Sequence, residues 1–258
     1  MREEHPVFHQ KPNPETPIWR YFNFPKFVSL LQTRSIYFAR ADLLGDPLEG
    51  SFPKSRELAR ERVLQNSPKG RTREQQEAIL QHNQNVNRTH RNAIYVSCWH
   101  MGRHESMAMW QGYGEGPYGV AIQSSYETLD ATLPEEKEPR FSLEIKIPIF
   151  IGLVRYIDFT SDTARIENDN NGFAPFLCKS VVYDNEQELR AIFWLPVNPN
   201  GQAVPGHLVP LDLASLVKKV VVSPLAPPWF HEVVQGTCTQ LGFRFPVEAS
   251  AVKADPIY

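Results

Sequence analysis

The stretch 183–194, YDNEQELRAIFW, holds the residue types best suited to chemistry. Read as a strand, it puts Glu186, Glu188 and Arg190 on one face and Leu189, Ala191 and Phe193 on the other. Carboxylates two residues apart on one strand face stand ~7 Å apart. Like charges raise one of the two pKa values, and a neighbouring guanidinium lowers it again. Such a set suits a carboxylate that stabilises a developing cation, beside another that handles a proton. A solvent-facing strand with a local salt bridge would carry the same residues.

Other candidates lie far away in sequence. Arg20, between Trp19 and Tyr21, offers either a fork for phosphate or carboxylate or a structural partner for Glu186 or Glu188. Asp46, before Pro47, reads first as a turn residue whose side chain accepts backbone amides, and second as crevice lining. Cys98, His100 and His104 lack a second Cys or His pair at useful spacing, so no metal is expected there. The two histidines read as surface residues near a crevice. Trp110 and Tyr113 read as core or as platforms for a planar ring. Ser97 and Ser106 lack a nucleophile-elbow context. No Walker-type phosphate loop occurs.

The elements that must position these residues follow from pattern. Residues 18–22 and 35–39 read as short strands, joined by a helix that Asn23 caps and Pro25 opens. Residues 93–98 read as a buried strand, 105–111 as a short helix with Met107 and Trp110 on its apolar face, and 119–123 as the next strand. Residues 142–148 alternate as a half-exposed strand, and 154–159, 216–222 and 245–252 read as further strands. Residues 228–241 read as a helix that Gly242 ends. Residues 181–183 and 188–194 bracket one more strand region. Strands and helices intersperse without regular βαβ alternation. The fold class is therefore α+β, with mixed, mainly antiparallel sheets and flanking helices in a single domain over 17–258.

Residues 1–16 are polar and proline-rich and read as a flexible tail. Residues 54–91 carry nine Lys or Arg against four Glu. They read as a polar helical-hairpin insert turning at 67–70, either a solvated surface or a basic lid over an anionic ligand or nucleic acid. The whole chain, 258 residues with a formal charge of −2, exerts no global pull on nucleic acid or anionic membrane. No apolar run approaches the ~20 residues of a membrane helix. With no apolar signal core at the N-terminus, a cytoplasmic location is expected. Three widely spaced cysteines read as reduced, buried thiols.

Several segments together resemble a bacterial domain-of-unknown-function family, number 2971. They are IWRY, SIYFARADLLGDPLEG, VSCWH with MAMWQGYGEGPYGVAI, YDNEQELR and VKKVVVSP, and they span nearly the whole chain. The chain also resembles ADP-ribosyltransferases of the arginine-serine-glutamate class. Arg20 matches the first-strand arginine, and Glu186-Gln187-Glu188 matches the Glu-x-Glu. Tyr37-Phe38-Ala39 stands where that class has a serine.

The resemblance implies an NAD-consuming transferase, a toxin or defence effector, that passes ADP-ribose to a protein or nucleic acid. Arg20 would hold NAD, with Tyr21 and Arg190 beside it on the cofactor side. Tyr37 or Trp110 would stack on nicotinamide. Glu188 would stabilise the oxocarbenium-like transition state, Glu186 would orient or deprotonate the acceptor, and the basic insert would help choose it. The alternatives are a metal-dependent nuclease using Asp46, Glu49, His100 and His104, and a non-catalytic ligand- or partner-binding module.

Overall fold

The computed structural model describes residues 5–65, 72–134, 136–138, 145–195 and 204–253. The elements run β1 (Pro17–Asn23), α1 (Phe24–Thr33), β2 (Ser35–Arg40), α2 (Lys54–Gln65), α3 (Arg73–Arg91), β3 (Ile94–Met101), α4 (Met107–Tyr113), β4 (Gly119–Ser125) and α5 (Tyr126–Thr132). They continue with β5 (Glu136–Glu138), β6 (Ile145–Ile147), β7 (Phe150–Leu153), β8 (Arg155–Ile157), β9 (Cys178–Ser180), β10 (Glu188–Trp194) and β11 (Gly206–Pro210). Last come α6 (Leu213–Leu216), β12 (Lys219–Val222), α7 (Pro228–Gln240) and β13 (Val247–Ala249). The fold is α+β around a nine-stranded sheet whose pairs are antiparallel except β12 with β13.

One strand organises this sheet. β3 pairs along its length with β10, from Ile94 against Trp194 to His100 against Glu188. Its other edge is shared. β2 takes the first part, with Ala39 and Arg40 opposite Val96 and Tyr95. β1 takes the last part, with Ile18 and Trp19 opposite Met101 and His100. Between these two stretches β1 and β2 part, and the sheet is split beside residues 97–99. β1 then pairs with β4 along its whole length.

The apolar pattern explains why the halves hold their places. Ile18, Phe22, Phe38, Tyr95, Trp99, Leu189, Ala191 and Phe193 join the main core under the sheet, with Phe27, Leu30 and Leu31 of α1. Fully burying such side chains stabilises by about 1.5–3 kcal/mol each. α1 starts where expected: the Asn23 side chain accepts the Lys26 amide, Pro25 sits in the first turn, and Arg34 ends the helix in the left-handed region. On the other face Trp19 and Tyr21 pack with Met109 and Trp110 of α4.

Several expectations shift. The residues of α4 that are buried are Met109 and Trp110, while Met107 is exposed. A helix of two turns makes one face of i and i+1 once the sheet comes down on it. The region at 181–183 is a 3-10 turn that runs on to Glu186, and only then does β10 begin. β7 and β11 were not expected. Residues 213–216 are helical ahead of β12, and α3 continues to Arg91. The expected tail packs on the domain: Phe8 is buried and stacks on Phe150 with centroids 4.9 Å apart, and Pro14 and Thr16 carbonyls accept amides of α5. The turn at 67–70, residues 142–144 and the turn at 198–203 lie outside the described residues. Among the described residues no helix is long and apolar enough to cross a membrane.

Candidate active site

A cavity of about 490 Å³ opens at the split in the sheet. Its walls include Arg20 and Tyr21 of β1, Tyr37 of β2, Cys98 and His100 of β3, Tyr113 of α4, and Glu188 and Arg190 of β10. Asp46, Glu49, Lys179 and Glu186 add to its polar lining, with Lys26 and Tyr183. The volume falls in the range of small-molecule sites, about 300–1,000 Å³.

Arg20 leaves β1 on the core face, where its guanidinium lies 5.5 Å from the Phe22 ring and 5.8 Å from the Trp99 ring. Nη1 donates to Ser97 Oγ at 2.5 Å and Nη2 to the Tyr37 carbonyl at 2.8 Å. The guanidinium thus bridges the split, tying β1 to both β2 and β3. Among the described residues it has no carboxylate partner. Burial lowers its pKa to about 10, so the group stays charged at neutral pH. The serine hydroxyl that meets Arg20 comes from β3, not from the β2 position at 37–39. Strand parity within one element could not have shown this, because the two residues meet across strands.

Glu188 leaves β10 on the opposite face, paired in register with His100. Its Oε2 accepts from Arg190 Nε at 2.7 Å and its Oε1 from Lys179 Nζ at 2.6 Å. Lys179 Nζ also donates to Glu186 Oε2 at 2.5 Å. Arg190 carries the chain onward: Nη1 and Nη2 donate to the two carboxylate oxygens of Glu49, and Nη1 also to the Phe176 carbonyl. Tyr113 Oη donates to Glu186 Oε1 at 3.0 Å. The result is a buried row of alternating charge, Glu49–Arg190–Glu188–Lys179–Glu186, ending on a tyrosine at the mouth.

The row sets the protonation states apart. Burial would raise Glu188, but the Arg190 charge and the Lys179 ammonium win and hold it below the usual carboxylate range. Burial raises Glu186 to about 7, helped by its contact with Glu188. Two carboxyls of one cavity are thus poised differently, one ionised and one able to exchange a proton near neutrality. Burial lowers His100, whose Nδ1 donates to the Glu186 carbonyl at 2.7 Å, so the ring is neutral. Burial also raises the Cys98 thiol, which disfavours its thiolate form.

The expected residues fare unequally. Glu186 and Glu188 do meet, but not as neighbours on one strand face. Gln187 adopts a left-handed conformation (φ 42°), and Lys179 draws the two carboxylates together. Lys179 had no sequence signal beyond an isolated charge. It is placed by β9, which pairs in parallel with β8 so that Lys179 stands opposite Tyr156. Arg190 is fully buried with its fork on Glu188 and Glu49, so it positions Glu188 and is not free for a ligand.

Trp110 is core: its Nε1 donates to Glu105, its ring meets Tyr21 edge-on at 4.9 Å, and it does not line the cavity. Tyr37 is half exposed at the rim and Tyr21 is buried on the wall, where its Oη accepts the Ser106 amide. The nuclease set does not assemble. Glu49 is paired with Arg190, His100 is buried, and His104 is exposed and away from the cavity lining. Among the described residues no three His, Cys, Asp or Glu side chains converge as metal ligands would.

No family model matches the chain, so the resemblance to family 2971 finds no support there. No curated protein matches it either. Among solved structures, the chain is similar to DarT of Thermus sp. 2.9 in complex with NAD+, with a TM-score of 0.42 and 13% identity over 95% of this chain and 100% of that one. The same protein in complex with ADP-ribosylated single-stranded DNA aligns with a TM-score of 0.39 and 12% identity over 97% of both chains. Its complex with carba-NAD+ gives 0.35 and 12%, over 93% of this chain and 97% of that one.

Proposed function

We propose that the protein is an ADP-ribosyltransferase-like enzyme that takes NAD as substrate in the split-sheet cavity. The observation that carries this reading is the presence of Arg20 and Glu188 in the walls of one cavity. An unmatched guanidinium there suits a diphosphate or another anion. A fixed, ionised carboxylate suits a sugar whose C1′ gains positive charge.

In the step proposed, the C1′–N bond to nicotinamide breaks and its electron pair stays on the ring nitrogen, which turns the pyridinium into neutral nicotinamide. Glu188, held still by Arg190 and Lys179, accepts a hydrogen bond from the ribose and stabilises the oxocarbenium-like centre. An acceptor oxygen or nitrogen then bonds to C1′, and its proton passes to Glu186. Tyr113 and Lys179 orient Glu186 for that transfer. Tyr37 at the rim offers an aromatic surface to the nicotinamide ring, and Tyr21 also lines the cavity. The acceptor is a nucleic acid, a protein side chain or water.

The test is release of nicotinamide from NAD by the full chain. Glu188→Gln is expected to remove it while the far-UV circular dichroism stays native. Absence of both NAD binding and nicotinamide release in the unmodified protein sinks the proposal.

A further inference from the structure

One polar side chain of the cavity wall has no part in the step above. Asp46 is 5% exposed and lines the wall. Its Oδ1 accepts the Leu48 amide at 2.8 Å, which is the turn role expected before Pro47. Its Oδ2 is buried and has no hydrogen-bond partner among the described residues. A buried oxygen in that state bears its full desolvation cost until a donor arrives. Asp46 also lacks a cation among those residues, in contrast to Glu49, Glu186 and Glu188. Beside it, a Cβ added at Gly45 would meet nothing within 4 Å, so the wall is open there.

Arg20 is the complementary case, a cation with no carboxylate. The cavity therefore presents one unmatched guanidinium and one unmatched carboxylate oxygen that do not pair with each other. A ligand that completes both carries an anionic group and a hydrogen-bond donor. The lining holds four carboxylates, Asp46, Glu49, Glu186 and Glu188, and four cations, Arg20, Lys26, Lys179 and Arg190, so it has no surplus of negative charge that calls for a cation. A neutral hydroxyl serves.

We propose that Asp46 contacts the ligand, its Oδ2 accepting from a hydroxyl of a sugar phosphate whose phosphate lies on Arg20. This rests on the reading of the cavity as an NAD site, and it names the part of the substrate that Asp46 recognises.

The experiment is calorimetric titration of the full chain with ribose 5-phosphate, propyl phosphate, phosphoethanolamine and NAD, for the parent and for Asp46→Asn. Asparagine keeps an acceptor for the Leu48 amide and replaces Oδ2 with an NH₂ donor. Ribose 5-phosphate is expected to bind the parent at least about tenfold more tightly than propyl phosphate, which has no hydroxyl, and this holds even if the variant fails to fold. Asp46→Asn is expected to weaken ribose 5-phosphate at least about tenfold and to leave propyl phosphate unchanged.

Equal binding of ribose 5-phosphate by both proteins overturns the proposal. So does a parent that does not bind it, or that prefers phosphoethanolamine. NAD cleavage with the same KM in both proteins sinks the Asp46 role and leaves the transferase reading standing. Asp46-dependent binding of ribose 5-phosphate without any NAD cleavage does the reverse.

Discussion

Arg20 and Glu188 leave opposite faces of one sheet and still line the same cavity. The reason is the split: β3 takes β2 on the first part of its edge and β1 on the last part, and the guanidinium fills the gap between. In an unbroken sheet the parity of side chains would have kept the two residues apart.

Arg20→Lys keeps the charge and removes the planar fork, so Ser97 and the Tyr37 carbonyl can no longer both be reached in the same way. We expect KM for NAD to rise at least about tenfold, a loss of about 1.4 kcal/mol. Steady-state nicotinamide release measures it.

Glu49→Ala leaves the Arg190 fork without one of its two carboxylates in a fully buried place. Removing one partner of a buried ion pair costs about 3–5 kcal/mol. Urea unfolding should show a loss of that size. NAD cleavage should fall as well, because Arg190 no longer holds Glu188 still.

The pH dependence has two limbs. Glu186 is raised to about 7 when folded, so the folded state binds the extra proton between the unfolded value and about 7. Its contribution to stability is therefore present at the acid end of that window and lost as pH rises through about 7. Glu188 is depressed, so its contribution is present above the unfolded carboxylate value and lost as pH falls below it. Stability should peak on the acid side of neutrality. Activity that uses Glu186 as a base should instead rise through about pH 7, and that limb should vanish in Glu186→Gln. Denaturation and rate profiles from pH 4 to 9 measure both.

Trp110→Phe tests the assignment of that ring to the core. It should lower stability, because Nε1 loses Glu105 and the packing on Tyr21 shrinks, while KM for NAD stays as it is. A changed KM with unchanged stability would restore Trp110 as a ligand platform.

Gly50 follows Glu49 with φ +69°, and a Cβ there would overlap the Phe176 ring. Gly50→Ala should destabilise by more than about 1 kcal/mol. It should also disturb the turn that aims Glu49 at Arg190. Thermal melts with and without NAD measure the two effects.

Strands β1 to β4, the Asn23 cap and the α+β class were legible because each depends on neighbours in the chain. Ile18, Phe22 and Phe27 announce their faces by period alone. The site was legible only in part. Glu186, Glu188 and Arg20 stood out by type, yet their grouping depends on Lys179, which a parallel pair of three-residue strands brings in from elsewhere. A left-handed Gln187 and a 3-10 turn likewise broke the simple alternation read over 183–194. Ser97 lacks a nucleophile-elbow context, and its service to Arg20 is a cross-strand fact that spacing does not encode. Asp46 read first as turn chemistry because the turn is local and the cavity is not.

A guanidinium has five N–H groups, and the contacts of Arg20 to Ser97 and Tyr37 use one on each terminal nitrogen. An incoming anion can therefore take the remaining donors without unfastening the seam. With the phosphate role proposed for Arg20, the rivet that keeps two sheet halves in line and the hook for the ligand are one side chain, so that tightening either stiffens the other.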